Sequence, residues 1–447
     1  MKDPYEFIIS DQLEARSKAG YKGVDAAARK RWLRYVWGYR ALRPVLWAYD
    51  HILGPGEQKA RGKLDVLFVG SKLYDFVAEA SRVYSVAVLA KGARSRREAR
   101  RHGLPTYSVD EAVHRLYCCA LLSVREERSR RVEAEVVRLR KYLREKAPGV
   151  IVMFSNTSYF ERAVVYAARL EGIPTVKVSH GMMLHDEHDS RMANVADYIF
   201  VWGEHFRKFL MGMSDLPEER IKVFGYPYLL PEVERAPGGS AALSACFIGQ
   251  NNRGPGEKYV ERKFETLSML DELCREHGIQ LFYRPHPTEW RRENLWILKE
   301  IRKIAGRDIV TEKTESLKQA ARKHRIFFSF YSTALTEMAL CGRACCQIMG
   351  DWGWEADDFE RLGVCTRSNL DRATLGAFLA KAIEADAPEN RVDPEYIYVP
   401  YSLKERIGEF LDPLIKGSDS IPLRAAGDPL SDETVKTSEM SSGEQAR

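Results

Sequence analysis

The chain lacks the features that would mark a membrane-spanning, secreted or metal-stapled protein. No apolar run approaches the ~20 residues of a membrane span, and the start MKDPYEFIISD has no apolar core of the kind found in a secretion signal. Its eight cysteines (Cys118, Cys119, Cys246, Cys274, Cys341, Cys345, Cys346 and Cys365) include no CxxC pair matched by a second at zinc spacing. A chain of 447 residues needs no disulfide staples, so these read as reduced core residues of a cytoplasmic protein. There is no internal repeat beyond a doubled α/β unit. The charge imbalance is small, 69 basic against 63 acidic residues, and the net +6 says little about partners.

What is present describes a globular protein, 45% hydrophobic and 30% charged. The basic excess is local: residues 1–63 hold 13 Lys/Arg against 7 Asp/Glu. Within that part, residues 29–53 interleave arginine with Trp32, Tyr35, Trp37, Tyr39 and Trp47. Such a helix suits the interface of an anionic membrane, and equally suits an aromatic face packed on the next domain. No nucleic-acid-binding motif accompanies the charge, so no nucleic-acid partner is expected. The expected location is the cytoplasm, either free or at the inner face of the cytoplasmic membrane.

From residue 63 onward, apolar runs of five to seven residues alternate with helical stretches, the pattern of a parallel sheet covered on both faces. Strands are predicted at 63–70, 84–90, 148–156, 175–181, 196–203 and 221–227, and a linker composition follows at 231–241. A second series is predicted at 243–249, 280–285, 308–312, 325–332 and 343–348. The expected organisation is an N-terminal basic and aromatic helical extension (1–62), a Rossmann-like acceptor domain (63–235), a Rossmann-like nucleotide-donor domain (236–395), a C-terminal helix (396–415) and a disordered tail (416–447). The fold class is α/β, two Rossmann-like domains facing across a cleft.

In such sheets ligands gather at the carboxyl ends of strands, and four loops there hold chemistry. QLFYRPHP (280–287) places Arg284 and His286 where a strand ends, with two prolines holding both residues extended. It reads as a grip on the phosphate of a nucleotide-activated donor, or more plainly as a rigid turn. SHGMMLHDEHDSR (179–191) carries His180, Asp186, Glu187 and Asp189, suited to general-base work on an acceptor hydroxyl. His185 and His188 flanking carboxylates would also suit a metal, and a polar surface loop is the plainest reading. GQNNRGPGE (249–257) offers Gly249, Asn251 and Arg253 to an anion. Finally, Ser332 and Thr333 lie where a strand passes into a helix, as phosphate ligands or simple N-caps, with Glu337 one turn later facing ribose hydroxyls.

RPHP, the Ser332-Thr333 pair with its following acid, and the strand-His-Gly loop together resemble inverting glycosyltransferases of the GT-B fold. The nearest branches are bacterial surface-polysaccharide enzymes: capsule Kdo and sialic acid transferases and CDP-glycerol glycerophosphotransferases. The resemblance covers residues 150–350 or so. It implies a nucleotide-sugar donor, with a CMP-sugar favoured, and a hydroxyl of a surface glycan or glycolipid as acceptor. It also implies displacement without metal or other cofactor, in keeping with the lack of an Asp-x-Asp motif. Arg284, His286, Ser332 and Thr333 would hold the donor phosphate and Glu337 the ribose. His180 matches the base of the glycerophosphotransferase branch, with Asp186, Glu187 and Asp189 as rivals. The run Tyr331-Ser332-Thr333 and Glu337 stand where that branch usually shows paired serines and an aspartate, which counts against a CDP-glycerol donor. A UDP-sugar 2-epimerase and a non-catalytic nucleotide-binding protein are the alternatives.

Overall fold

Val66, Leu67, Phe68 and Val69 are extended and wholly buried. An apolar run with no alternation reaches this state only in a sheet covered on both faces. The computed structural model describes residues 7–8 and 62–417, except 71–72, 110–111, 114–115, 117–124, 156–157, 180–194, 214–215, 229–242, 251–256, 292–293, 306–308, 311–315, 350–358, 361–362, 386–391, 394 and 398–401. The 29–53 stretch and the tail beyond residue 417 therefore lie outside the described residues. By contacts the chain divides into two compact units, one of Met1–Ser71, Tyr84–Val176 and Leu411–Arg447, the other of Lys72–Val83 and Lys177–Phe410.

The first sheet has seven strands, β1 (Val66–Val69), β2 (Val86–Ala90), β3 (Thr106–Ser108), β4 (Val150–Met153), β5 (Thr175–Val178), β6 (Tyr198–Val201) and β7 (Ile221–Val223), in the order β3-β2-β1-β4-β5-β6-β7. Its helices are α1 (Tyr74–Ser81), α2 (Gly92–Arg101), α3 (Arg125–Lys146), α4 (Tyr159–Leu170) and α5 (Glu204–Met213). α4 starts at Tyr159 because Ser158 and Glu161 form a reciprocal capping box.

The second sheet contains β8 (Ser244–Ile248), β9 (Gln280–Arg284), β10 (Ile326–Ser329), β11 (Ala344–Met349) and β12 (Thr366–Asn369). Its order is β12-β11-β10-β8-β9, all parallel. The helices are α6 (Glu257–Glu276), α7 (Leu295–Ala305), α8 (Leu317–Lys323), α9 (Ala334–Leu340) and α10 (Arg372–Glu384); the last helix, α11 (Leu403–Lys416), sets Phe410 against Phe200 and Phe224 of the first sheet region. Along β8 the residues alternate between two cores. Ala245 and Phe247 join Leu267, Leu270, Ile297, Ile301 and Leu379, while Cys246 and Ile248 join Leu335, Met338, Trp202 and Tyr226. Each such buried aliphatic or aromatic side chain contributes about 1.5–3 kcal/mol.

The structure adds to the sequence reading in three places. The short strands β3 and β12 were not expected, and residues 91–103, a basic stretch that follows β2, contain the helix α2. Of the expected strand 308–312 only Ile309 and Val310 are described, and Val310 makes an isolated parallel bridge to Tyr283. Among the described residues no helix is long and apolar enough to cross a membrane.

Two glycines differ in what holds them. A Cβ on Gly203 would lie 2.3 Å from the carbonyl oxygens of Glu395 and Tyr396, whereas one on Gly408 would meet nothing within 4 Å. Gly203→Ala should therefore destabilise by about 1–3 kcal/mol through overpacking, while Gly408→Ala inside α11 should stabilise by up to about 1 kcal/mol. Urea melts of the two variants should move in opposite directions; equal shifts would contradict the packing described.

Candidate functional site

The strand order sets the carboxyl ends of β9, β8 and β10 side by side, spanning roughly 10 Å at two strand spacings. Gly249 follows β8, Arg284 closes β9 with His286 two residues on, and Ser332 and Thr333 follow β10. The chain order reverses between β8 and β10, which is where ligands gather in open α/β sheets. His180, Asp186, Glu187, Asp189, Asn251 and Arg253 lie outside the described residues.

Beneath the RPHP turn sits a residue the sequence did not single out. Glu289 is fully buried, and its carboxylate takes Lys263 Nζ at 2.6 Å, Tyr283 Oη at 2.8 Å and 2.9 Å, and the His286 amide at 2.7 Å. The Glu289 amide in turn donates to the His286 carbonyl at 2.8 Å. An acid three residues past the turn thus answers its backbone, the reciprocity of a capping box. That spacing was the available signal. Gly249 completes the arrangement: a Cβ there would lie 2.5 Å from Glu289 Oε2 and from Tyr283 Oη. The Gly249 amide donates to the Arg284 carbonyl at 2.8 Å, tying the ends of β8 and β9. The glycine is demanded here by the carboxylate beneath it.

His286 is half-buried and locally fixed. The Thr288 amide donates to Nδ1 at 3.2 Å, and the Thr288 hydroxyl lies 2.7 Å from the same nitrogen. An amide can only donate, so Nδ1 is the acceptor and the neutral ring carries its proton on Nε2. Burial pushes the imidazole below its ordinary 6.5; Arg284, Lys263 and Arg291 push the same way, against Glu289. At neutral pH His286 is therefore a neutral N–H donor.

At the end of β10, Ser329 Oγ donates to the Ile248 carbonyl at 2.8 Å, locking that strand to β8. The Ser332 hydroxyl accepts the Ala334 amide at 3.2 Å, and Thr333 makes no side-chain cap bond. Glu337 keeps part of its surface exposed, but its carboxyl is packed near Tyr226, Arg284, Lys318 and Asp75. Burial pushes it up to about 7 although Tyr226, Arg284 and Lys318 favour the charged form. The Tyr226 hydroxyl approaches closely enough to act on that charge without making a hydrogen bond of ordinary geometry. Lys318 is paired with Asp75 at 3.1 Å. Tyr226 is pinned from behind by the buried Arg406, which donates to the Phe224 and Tyr226 carbonyls at 3.0 Å and 2.8 Å. The spacing of the sequence pointed to Arg284, His286, Ser332, Thr333 and Glu337; it gave no sign of Tyr226, Lys318, Asp75 or Arg406.

Two measurements check this geometry. Nitrogen-15 spectra of the His286 ring should show the Nε2–H tautomer near pH 7, and an Nδ1–H ring would contradict the Thr288 contacts. Glu337 holds its proton in the folded state up to about 7 but loses it near the ordinary 4.5 when unfolded. Its stabilising contribution is therefore present below 4.5 and is lost as pH rises through about 7. Glu337→Gln should abolish that fall in stability with rising pH; an unchanged slope would refute the buried carboxyl.

No family model matches the chain. Over 168 residues it is 26% identical to an uncharacterized protein of Methanocaldococcus jannaschii (MJ1060), a match covering 34% of this chain and 29% of that protein. The chain thus spans under a third of that relative. Its fold is similar to that of the UDP-GlcNAc 2-epimerase of M. jannaschii, with TM-score 0.54 and 13% identity over 78% of this chain and 99% of the other. The Neisseria meningitidis UDP-GlcNAc 2-epimerase bound to UDP-GlcNAc gives 0.53 and 13%, covering 78% and 99%. The S. aureus MnaA–UDP co-structure gives 0.53 and 11%, covering 78% and 96%. The chain has the GT-B fold, with two parallel α/β sheets, that these nucleotide-sugar enzymes share.

Proposed function

We propose that this chain is a nucleotide-sugar enzyme that holds a UDP-sugar at the strand ends around Gly249, His286 and Ser332, and that it epimerises the sugar at C2. The observation behind the reading is the neutral His286 ring, fixed as an Nε2–H donor beside Arg284 at a topological switch point. Donors prearranged for an oxyanion stabilise a departing phosphate most where water is excluded. Arg284, His286, Ser332 and Thr333 would take the diphosphate, and Glu337 the ribose. The likeness to UDP-bound epimerases over nearly their whole length supports a uridine nucleotide over the CMP-sugar expected from sequence. Epimerisation needs acid and base groups around the sugar and no separate acceptor; His180, Asp186, Glu187 and Asp189 are the proposed bearers of that proton traffic.

A second reading is supported by RPHP followed by Ser332-Thr333, the combination found in surface-polysaccharide transferases. In it a sugar passes without metal from a nucleotide donor to a hydroxyl of a glycan or glycolipid, with residues 29–53 meeting the membrane surface.

Incubation with UDP-GlcNAc alone in heavy water separates the two. Epimerisation should give the C2 epimer with deuterium at C2, seen by proton NMR, and His286→Ala should slow it by about 10²–10³. UDP should also raise the melting temperature more than CMP, since a ligand of the folded state stabilises it. No conversion without acceptor, together with transfer once a glycan is added, would replace the epimerase reading by the transferase.

A further inference from the structure

We infer that Glu289 and Lys263 are positioning residues for His286: the buried pair holds the backbone of residue 286 so that its imidazole presents Nε2–H to the nucleotide's leaving oxygen. The inference rests on the UDP-sugar reading for the nature of the ligand, but its geometry stands apart from it. A buried ion pair that served stability alone would need no link to residue 286. Here Glu289 Oε2 accepts the amide of His286 at 2.7 Å and the Glu289 amide returns a bond to the His286 carbonyl at 2.8 Å. Lys263 reaches the same carboxylate from α6 and Tyr283 reaches it from β9, so a helix and a strand both converge on one acceptor. Both Lys263 and Glu289 are fully excluded from water. Gly249, at the end of the neighbouring strand, leaves the space that the carboxylate occupies. Movement of Glu289 would therefore shift residue 286 together with the ends of β8 and β9.

Such a role makes the acceptor at position 289 matter more than its charge. Replacing a buried pair by uncharged residues of similar size is commonly tolerated by the fold, which allows two paired variants to be compared. Lys263→Met with Glu289→Leu removes the acceptor for the His286 amide, whereas Lys263→Met with Glu289→Gln keeps one. We expect the Leu pair to lose about 10²-fold in kcat on UDP-GlcNAc with little change in KM, the scale of a small misplacement of a reacting group. The Gln pair should recover at least tenfold of that loss. Ring nitrogen spectra should show His286 losing its fixed Nε2–H tautomer in the Leu pair and keeping it in the Gln pair. Equal kcat and equal spectra in the two folded variants would overturn the inference.

Should the Leu pair fail to fold, Glu289→Gln alone decides. With an acceptor for the His286 amide kept, that variant should retain the Nε2–H tautomer in ring nitrogen spectra and kcat within about tenfold of the parent, and a folded variant that loses the fixed tautomer would overturn the inference. The underlying functional reading fails separately: His286→Ala with undiminished UDP binding and turnover would remove the ligand while leaving the tautomer comparison to judge the pair.

Discussion

A carboxylate wholly inside a protein is stable only when its lone pairs are answered, and Glu289 is answered by a lysine, a tyrosine and a backbone amide. Breaking such a pair by removing one partner typically costs about 3–5 kcal/mol, because the other charge is left buried and alone. The second sheet is built around this requirement. Gly249 must lack a side chain, Tyr283 must direct its hydroxyl out of β9, and the RPHP turn must close over the acid. The prolines restrict the turn, but the hydrogen bonds from Glu289 decide where it comes to rest.

Burial acts on the two titratable groups of the site in the same sense, toward neutrality. His286 is kept from taking a proton and Glu337 from losing one, with Arg284 near both. The resulting surface at the strand ends is rich in donors and poor in negative charge. Under the proposed reading, a diphosphate entering it would meet donors held in place by the fold, so little reorganisation would be needed as charge develops on a departing oxygen. That property is common to epimerisation and to transfer, since both begin by loosening a sugar from its nucleotide.

Two of the strands that carry the site, Ser244–Ile248 and Ile326–Ser329, were legible as fully buried and mainly apolar runs, and the third, Gln280–Arg284, as the short apolar stretch Leu281-Phe282-Tyr283 between polar ends. The edge strands were not: Thr106–Ser108 has three residues and Thr366–Asn369 is largely exposed, so neither has the apolar signature of a buried run. α2 was hidden by its composition, since GARSRREARR has no apolar stripe to betray a helix. Arg284, His286, Ser332, Thr333 and Glu337 were proposed from sequence because they stand at strand ends or in the helix that follows one. Lys263 could not, for it stands among Lys258, Arg262 and Glu265 in a charged helix and nothing in hydropathy sets it apart. Glu289 was equally inconspicuous, and only its distance of three residues from His286 hints at a returning hydrogen bond. Gly249 was proposed for anion binding, whereas the structure supplies another reason for it: the Glu289 carboxylate and the Tyr283 hydroxyl lie where a Cβ would stand.

The central claim is that the nucleotide's diphosphate is held at the joined ends of β9, β8 and β10 by a neutral His286. A crystal structure of the protein with UDP tests it most directly. The account predicts a diphosphate oxygen within hydrogen-bonding distance of His286 Nε2, with Ser332 or Thr333 on the same group. UDP seated elsewhere, or His286 turned so that Nδ1 meets the phosphate, would contradict it.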